Sequence, residues 1–202
     1  MSRYAVHPGV AHVQKILENL GPKTGHDLEG WCARLAAEAP GELKERVAWL
    51  KAQGLGGAQA SLVAERSLGA PGAFEAESPE GYLRAAEGWV EAQYSGKKTL
   101  LRPLFEALLA EGFRLGPDVK ACPCKTIVPL YRAHVFAELK PSTQTRIDLG
   151  LALGDLPATG RLIDTGGFAK KDRITHRIEV KSSADIDGEL RGWLKRAYEA
   201  DR

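Results

Sequence analysis

The chain has 202 residues, 44% hydrophobic and 27% charged, with a net charge of +2. That length suits one or two domains with a buried core, and the ordinary composition excludes disordered and collagen-like proteins. No run of about 18 apolar residues is present to span a membrane, the N-terminal MSRYAVHPGVAHV lacks the features of a signal peptide, and 3 cysteines are too few for a disulfide framework. A reduced cytoplasm is the expected location.

The first third reads as helices alone. Pro8 suits a first helical turn, and Val10, Val13, Leu17 and Leu20 form a stripe that ends at Gly21-Pro22. Thr24 with Asp27 resembles a capping box for a second helix bearing Leu28, Trp31, Cys32 and Leu35. A third helix follows Pro40, turns Leu43, Val47 and Leu50 inward, and stops at Gly54. A fourth runs from about Ala58 to Leu68. The Gly-, Ala-, Pro- and Glu-rich stretch that follows is the expected linker.

Two more helices follow, one opened by Ser78-Pro79 and carrying Trp89 and Val90, the other covering 100–111. Beyond 118 the period changes to 2. TRIDLGLAL alternates Ile147, Leu149, Leu151 and Leu153 against polar residues, and RITHRIEVK alternates Ile174, Ile178 and Val180 against Arg173, Arg177, Glu179 and Lys181. Such alternation marks strands with one buried face. Shorter strand-like runs lie at 119–125, 126–132 and 134–139, and Ser182 with Asp185 caps a closing helix with Leu190, Trp193 and Leu194 on its apolar face. The expected class is therefore α+β: a four-helix domain over 1–69, a linker over 70–79, and over 80–202 two helices, an antiparallel meander of four to five strands and a C-terminal helix.

Charge is unevenly spread. Residues 1–78 hold 8 Lys/Arg against 9 Asp/Glu, whereas 97–181 hold 15 against 9, an excess that favours an anionic ligand or nucleic acid. The turn Gly54-Leu55-Gly56-Gly57 has the form of a phosphate-binding helical hairpin. No cation lies between 54 and 65, so it reads first as a tight helix connection. Cys122-Pro-Cys124 with the isolated His134 and His176 has the wrong spacing for structural zinc, so no metal is expected. Glu179-Val180-Lys181 echoes half of a nuclease core that would need Asp148 or Asp164 beside it. No nucleophile or cofactor motif is present. In DTGGFAKK, Gly166-Gly167 offers converging amides followed by Lys170-Lys171. With Tyr131 and the outward Arg146, Arg173 and Arg177, this makes the candidate anion site. The rival is that these arginines pair with Asp148, Asp172 and Glu179.

Residues 23–69, with AWLK followed by GLGG, resemble a small helical bacterial domain of unknown function. KKTLLRPLFEALL, CKTIVPLYR, FAELKPSTQTRIDLGL, TGGF and THRIEVKSSADIDGELRGWLKRAYE make residues 80–198 similar to a second uncharacterised domain often found after it, sometimes labelled a predicted transport protein. The resemblance implies the two-part layout and supplies no catalytic residues. The combined reading is a bacterial binding module without catalysis, cofactor or membrane segment, for an anionic small molecule or a protein partner. The alternative is nucleic-acid binding through Gly54, Gly56, Gly57 and the basic C-terminal module; a metal-dependent nuclease or hydrolase comes third.

Overall fold

The computed structural model describes residues 2–38, 41–69 and 78–201, so Pro40 and most of the expected linker, 70–77, lie outside the described residues. The chain forms two compact units, Val6–Tyr82, and Met1–Ala5 with Leu83–Arg202.

In the first unit, α1 (Pro8–Thr24), α2 (Leu28–Glu38), α3 (Leu43–Ala52) and α4 (Gly57–Ser67) enclose Leu20, Trp31, Leu35, Leu50, Leu55, Ala60 and Val63. Helix α1 continues through Gly21-Pro22 and ends at Gly25, whose backbone is left-handed (φ 82°) and whose amide bonds the Gly21 carbonyl. A proline in the last turn removes a single amide, which that ending tolerates. Thr24 therefore does not cap α2. Its hydroxyl donates to the Leu20 carbonyl at 2.6 Å and accepts the Trp31 indole N–H at 2.7 Å, while Asp27 holds the α2 N-terminus through the Gly30 amide at 2.8 Å.

The turn between α3 and α4 is built on Gly54 at φ 95°, whereas Gly56 has an ordinary extended backbone at φ −64°. Leu55 between them is buried, which accounts for one apolar residue among glycines. Gly54→Ala is expected to destabilise this unit by about 1 kcal/mol through left-handed strain, and Gly56→Ala by less. Equal melting of the two variants would contradict that assignment.

In the second unit, α5 (Pro79–Gln93, whose first turn belongs to the other unit), a 3₁₀ helix (Gly96–Leu101) and α6 (Arg102–Phe113) precede the sheet. Its strands are β1 (Lys120–Ala121), β2 (Val128–Tyr131), β3 (Val135–Lys140), β4 (Ile147–Leu151), β5 (Ile163–Asp164) and β6 (His176–Val180). They pair antiparallel in the order β1-β2-β3-β4-β6-β5. The added strand, β5, is two residues long and too short to show alternation.

Leu139, Leu149, Ile178 and the neighbouring Ile147 and Val180 are fully buried in this unit. Each such side chain contributes about 1.5–3 kcal/mol of burial. Ile174 lies before β6 and is only half-buried. Helix α7 (Gly188–Ala200) packs on β3 and β4, and α6 on β3. Ser182 and Asp185 cap a 3₁₀ turn, Ser183–Asp185, and Asp187 caps α7 by accepting the Leu190 amide.

Candidate ligand-binding site

The loop from β5 to β6 is closed by its own backbone. The Thr165 amide donates to the Thr175 carbonyl at 3.0 Å, and the Lys170 and Asp172 amides both donate to the Gly167 carbonyl, at 3.0 and 2.9 Å. Gly166, at φ 70°, turns the chain, and its amide is taken by Asp164 Oδ1 at 2.7 Å. Gly167 passes so close to the segment leading into β6 that a Cβ there would lie 2.4 Å from the Ile174 carbonyl oxygen. The paired glycines thus serve the turn and the close approach. Lys171 follows with a left-handed backbone at φ 61°, the sole non-glycine with positive φ among the described residues.

This loop forms one wall of a hollow of about 780 Å³, with Leu153 and Gly154 after β4 and Ala200 at the end of α7 on other sides. Phe168, Lys171, Asp172 and Arg173 line it. Lys171 makes no ion pair among the described residues, and the Phe168 side chain is 56% exposed. Arg173 donates from Nε to the Val135 carbonyl at 2.9 Å and from Nη2 to Asp201 Oδ1 at 2.5 Å. Asp201 is 1% exposed, and it also accepts the His134 amide at 2.8 Å and faces His134 Nδ1 at 3.0 Å. The hydroxyl lining the hollow, that of Thr175, accepts the Leu153 amide and lies 2.8 Å from His176 Nδ1.

Lys171 and Arg173 therefore share the hollow, and Gly166, Gly167 and Lys170 belong to the loop that carries them. Arg146 and Arg177 lie elsewhere, just before β4 and on β6. Arg177 Nη1 reaches Asp148 at 3.0 Å and Glu179 at 3.3 Å, and Arg146 reaches Glu179 at 2.7 Å and Asp148 at 2.8 Å. Two guanidinium groups and two carboxylates answer each other across the strand pair, with Ser142 donating to Asp148 at 2.7 Å. Tyr131 ends β2, half-buried, and burial pushes its phenol up to about 12. The residues that sequence reasoning missed are Phe168, inside the motif it singled out, and Gly154, Asp201 and His134, which only the packing of β4, α7 and the β2–β3 turn brings near.

The family described as a domain of unknown function, DUF5655, matches residues 90–201. The chain belongs to the DUF5655 family. No curated protein and no solved structure matches it. The DUF5655 match takes in the 3₁₀ helix, α6, the whole sheet and α7, so the hollow and the arginine–carboxylate square both lie within it. It brings no activity with it, and the helical unit lies outside the matched residues.

Within the DUF5655 segment, Asp148 and Glu179 do face each other across β4 and β6, as a nuclease core would need. Both are already neutralised by Arg146 and Arg177. No group of three or more His, Cys, Asp and Glu stands ready for a metal among the described residues. Cys122 and Cys124 follow β1 in a loop rather than a strand, and burial pushes their thiols up to about 12 and about 11. Thiols that stay protonated are poor ligands and slow nucleophiles. The purified protein is expected to carry no stoichiometric zinc by elemental analysis. Alkylation of these cysteines should stay slow at pH 8 and accelerate only as pH approaches about 11; fast labelling at pH 8 would contradict the burial.

In the helical unit, α1 brings His12, Lys15 and Lys23 around a hollow of about 460 Å³ that also includes Gly56, Gly57 and Ala58 at the start of α4. A Cβ on Gly57 would lie 3.9 Å from Lys51 Cε. Cations absent from the sequence near the turn are thus supplied by another helix.

Proposed function

We propose that the DUF5655 module of this chain binds a small organic anion with an apolar body and performs no chemistry on it. The reading rests on one arrangement: the half-exposed Phe168 ring and the Lys171 ammonium stand together on a hollow of about 780 Å³ whose walls include Leu153, Ala169 and Ala200. A left-handed lysine costs on the order of 1 kcal/mol, and strain of that kind persists where the surroundings hold it. Charge sets the ligand class. Arg173 is answered by Asp201, and Asp172 opposes Lys171, so the site suits a single carboxylate rather than a polyanion. The engagement of the Thr175 hydroxyl with Leu153 and His176 leaves no free nucleophile on this wall, which favours binding without reaction.

Calorimetric titration with aromatic carboxylates, benzoate and indole-3-acetate, against their neutral amides tests this. The carboxylates should bind and the amides should not. Lys171→Gly should raise the melting temperature by relieving the backbone while abolishing binding, a pair of effects that general destabilisation does not produce. Unchanged binding in Lys171→Gly and Phe168→Ala would sink the reading.

A second reading, nucleic-acid binding by the helical unit, is favoured by the hollow holding His12, Lys15 and Lys23 beside Gly56 and Gly57. The first amides of α4 have no intrahelical acceptor and carry the positive end of its dipole, although that of Gly56 is taken by Gln59 Oε1 at 3.0 Å. Duplex DNA should then bind in fluorescence anisotropy and weaken with salt, and Lys15→Gln with Lys23→Gln should remove the binding. Absence of binding at low salt would dispose of it.

A further inference from the structure

The compact unit that holds the DUF5655 match also takes in the N-terminal arm, residues 2–5, which the match leaves out. The arm meets β1, the end strand of the sheet, where the Ala5 amide donates to the Ala121 carbonyl at 2.9 Å. An end strand offers backbone groups to any extended segment, and here the chain supplies that segment itself. Two side chains hold it. Arg3 grips Glu106 of α6 with both ends of its guanidinium, Nη2 donating to Oε1 at 2.7 Å and Nη1 to Oε2, and Nη2 also donates to the Tyr4 hydroxyl at 3.0 Å. Tyr4 itself is buried.

The fastening is light. Among the described residues the Ala5 amide makes the arm's one backbone bond to the sheet, and the Arg3–Glu106 pair sits at the surface, its side chains 43% and 36% exposed, where such pairs are weak. Tyr4 is therefore the anchor, an aromatic body buried with its hydroxyl answered, a residue type that dominates interfaces. The arm also leaves a charge unanswered. Beside it lies a hollow of about 440 Å³ lined by Ser2, Arg3, Tyr4, Glu87, Glu91 and Arg102. Glu91 pairs with Arg102 at 2.8 Å, and Arg102 also reaches Glu106 at 2.8 Å, whereas Glu87 makes no ion pair among the described residues. On this side the arm offers Ser2, which carries no charge.

We propose that the β1 edge, with Glu87 of α5 and Glu106 of α6, is a groove for an extended peptide that carries a basic residue, an arginine and an aromatic residue in that order, and that residues 2–5 occupy it in cis as a strap such a peptide displaces. Recognition divides as it does in strand addition. The Ala121 carbonyl takes a backbone amide and gives affinity without reading sequence; Glu106 reads the arginine, the seat of Tyr4 reads the ring, and Glu87 reads the residue before them. The two-pronged contact with one carboxylate calls for a planar guanidinium rather than an ammonium. This groove and the hollow at Phe168 share no lining residue, so the inference stands apart from the anion reading.

The test is fluorescence anisotropy on the full chain with a labelled peptide, SRYAV, the chain's own residues 2–6. In the unaltered chain the strap competes and binding should be weak. Tyr4→Ala removes the anchor and should tighten peptide binding by about tenfold or more. Alanine in place of the peptide's arginine or tyrosine should abolish that gain. The peptide RRYAV should bind about two- to fivefold tighter than SRYAV, the contribution of one exposed ion pair. In the chain itself Ser2→Arg should do the reverse, strengthening the strap and lowering affinity for the peptide. Circular dichroism verifies that Tyr4→Ala is folded; if it is not, Ala5→Pro, which removes the donor to Ala121, takes its place. Hydrogen exchange on the unaltered chain decides independently, since a strap that opens alone must let the Ala5 amide exchange faster than the strand amides of β2 and β3. No peptide binding to the arm-weakened chain, binding equally tight in the unaltered chain, indifference to the peptide's arginine and tyrosine, or an Ala5 amide as protected as those strands overturns the inference.

Discussion

Asp201→Ala is expected to lower the stability of the DUF5655 unit by about 1–3 kcal/mol, the cost of losing a charged hydrogen bond and of leaving a backbone amide without its acceptor. The carboxylate is 1% exposed at the C-terminal end of α7, the negative end of that helix, where an anion is unfavourable. It is retained because Arg173 and the His134 amide hold it, at 2.5 and 2.8 Å. Removing it leaves the half-exposed Arg173 guanidinium to the Val135 carbonyl and solvent, and leaves the His134 amide without its acceptor. Asp201→Asn keeps the shape and an acceptor oxygen, so it should lose less. At roughly 2–4 °C per kcal/mol for a chain of this size, the alanine variant should melt about 2–12 °C lower. A loss under about 1 kcal/mol would mean that the carboxylate is not buried as described.

Gly167→Ala should destabilise the same unit by about 1–3 kcal/mol, as overpacking does, and should remove ligand binding at the Phe168 hollow. The added methyl would sit 2.4 Å from the Ile174 carbonyl oxygen and 3.2 Å from Thr175 Cα. Both are backbone atoms, so no side chain can swing away. The loop must lift, and Phe168 and Lys171 lift with it, since the Asp172 amide ties the far end of the turn to the Gly167 carbonyl. Gly166→Ala is the control. Gly166 is at φ 70° with open space around it, so alanine there carries strain of about 1 kcal/mol without a clash. Hydrogen exchange over 163–176 should rise more in Gly167→Ala than in Gly166→Ala; the reverse order would show that conformation, not contact, demands the second glycine.

Periodicity in the sequence determined the class of fold, because burial of one face imposes a local pattern. The four N-terminal helices, the antiparallel strands at Ile147–Leu151 and His176–Val180 and the closing helix all follow from spacings of 3.6 or 2. Element ends were less legible. Gly21-Pro22 reads as a stop, yet α1 runs on to Thr24, because Gly25 provides a better ending. Gly56 reads like Gly54, and only the backbone separates the left-handed residue from the extended one. For the candidate site, the loop around Gly166-Gly167 was visible as a motif, since glycine pairs signal turns directly.

The partners of its charges were decided by tertiary structure alone. Arg146, Arg173 and Arg177 look alike in an alternating strand. Strand register gives Asp148 and Glu179 to two of them, and the end of α7 gives Asp201 to the third. The same holds for Arg3 and Glu106, 103 positions apart and joined in one ion pair. A backbone pattern repeats within a few residues and can be read along the chain, whereas an electrostatic site sums charges from distant segments, and only packing sets the distances over which they act.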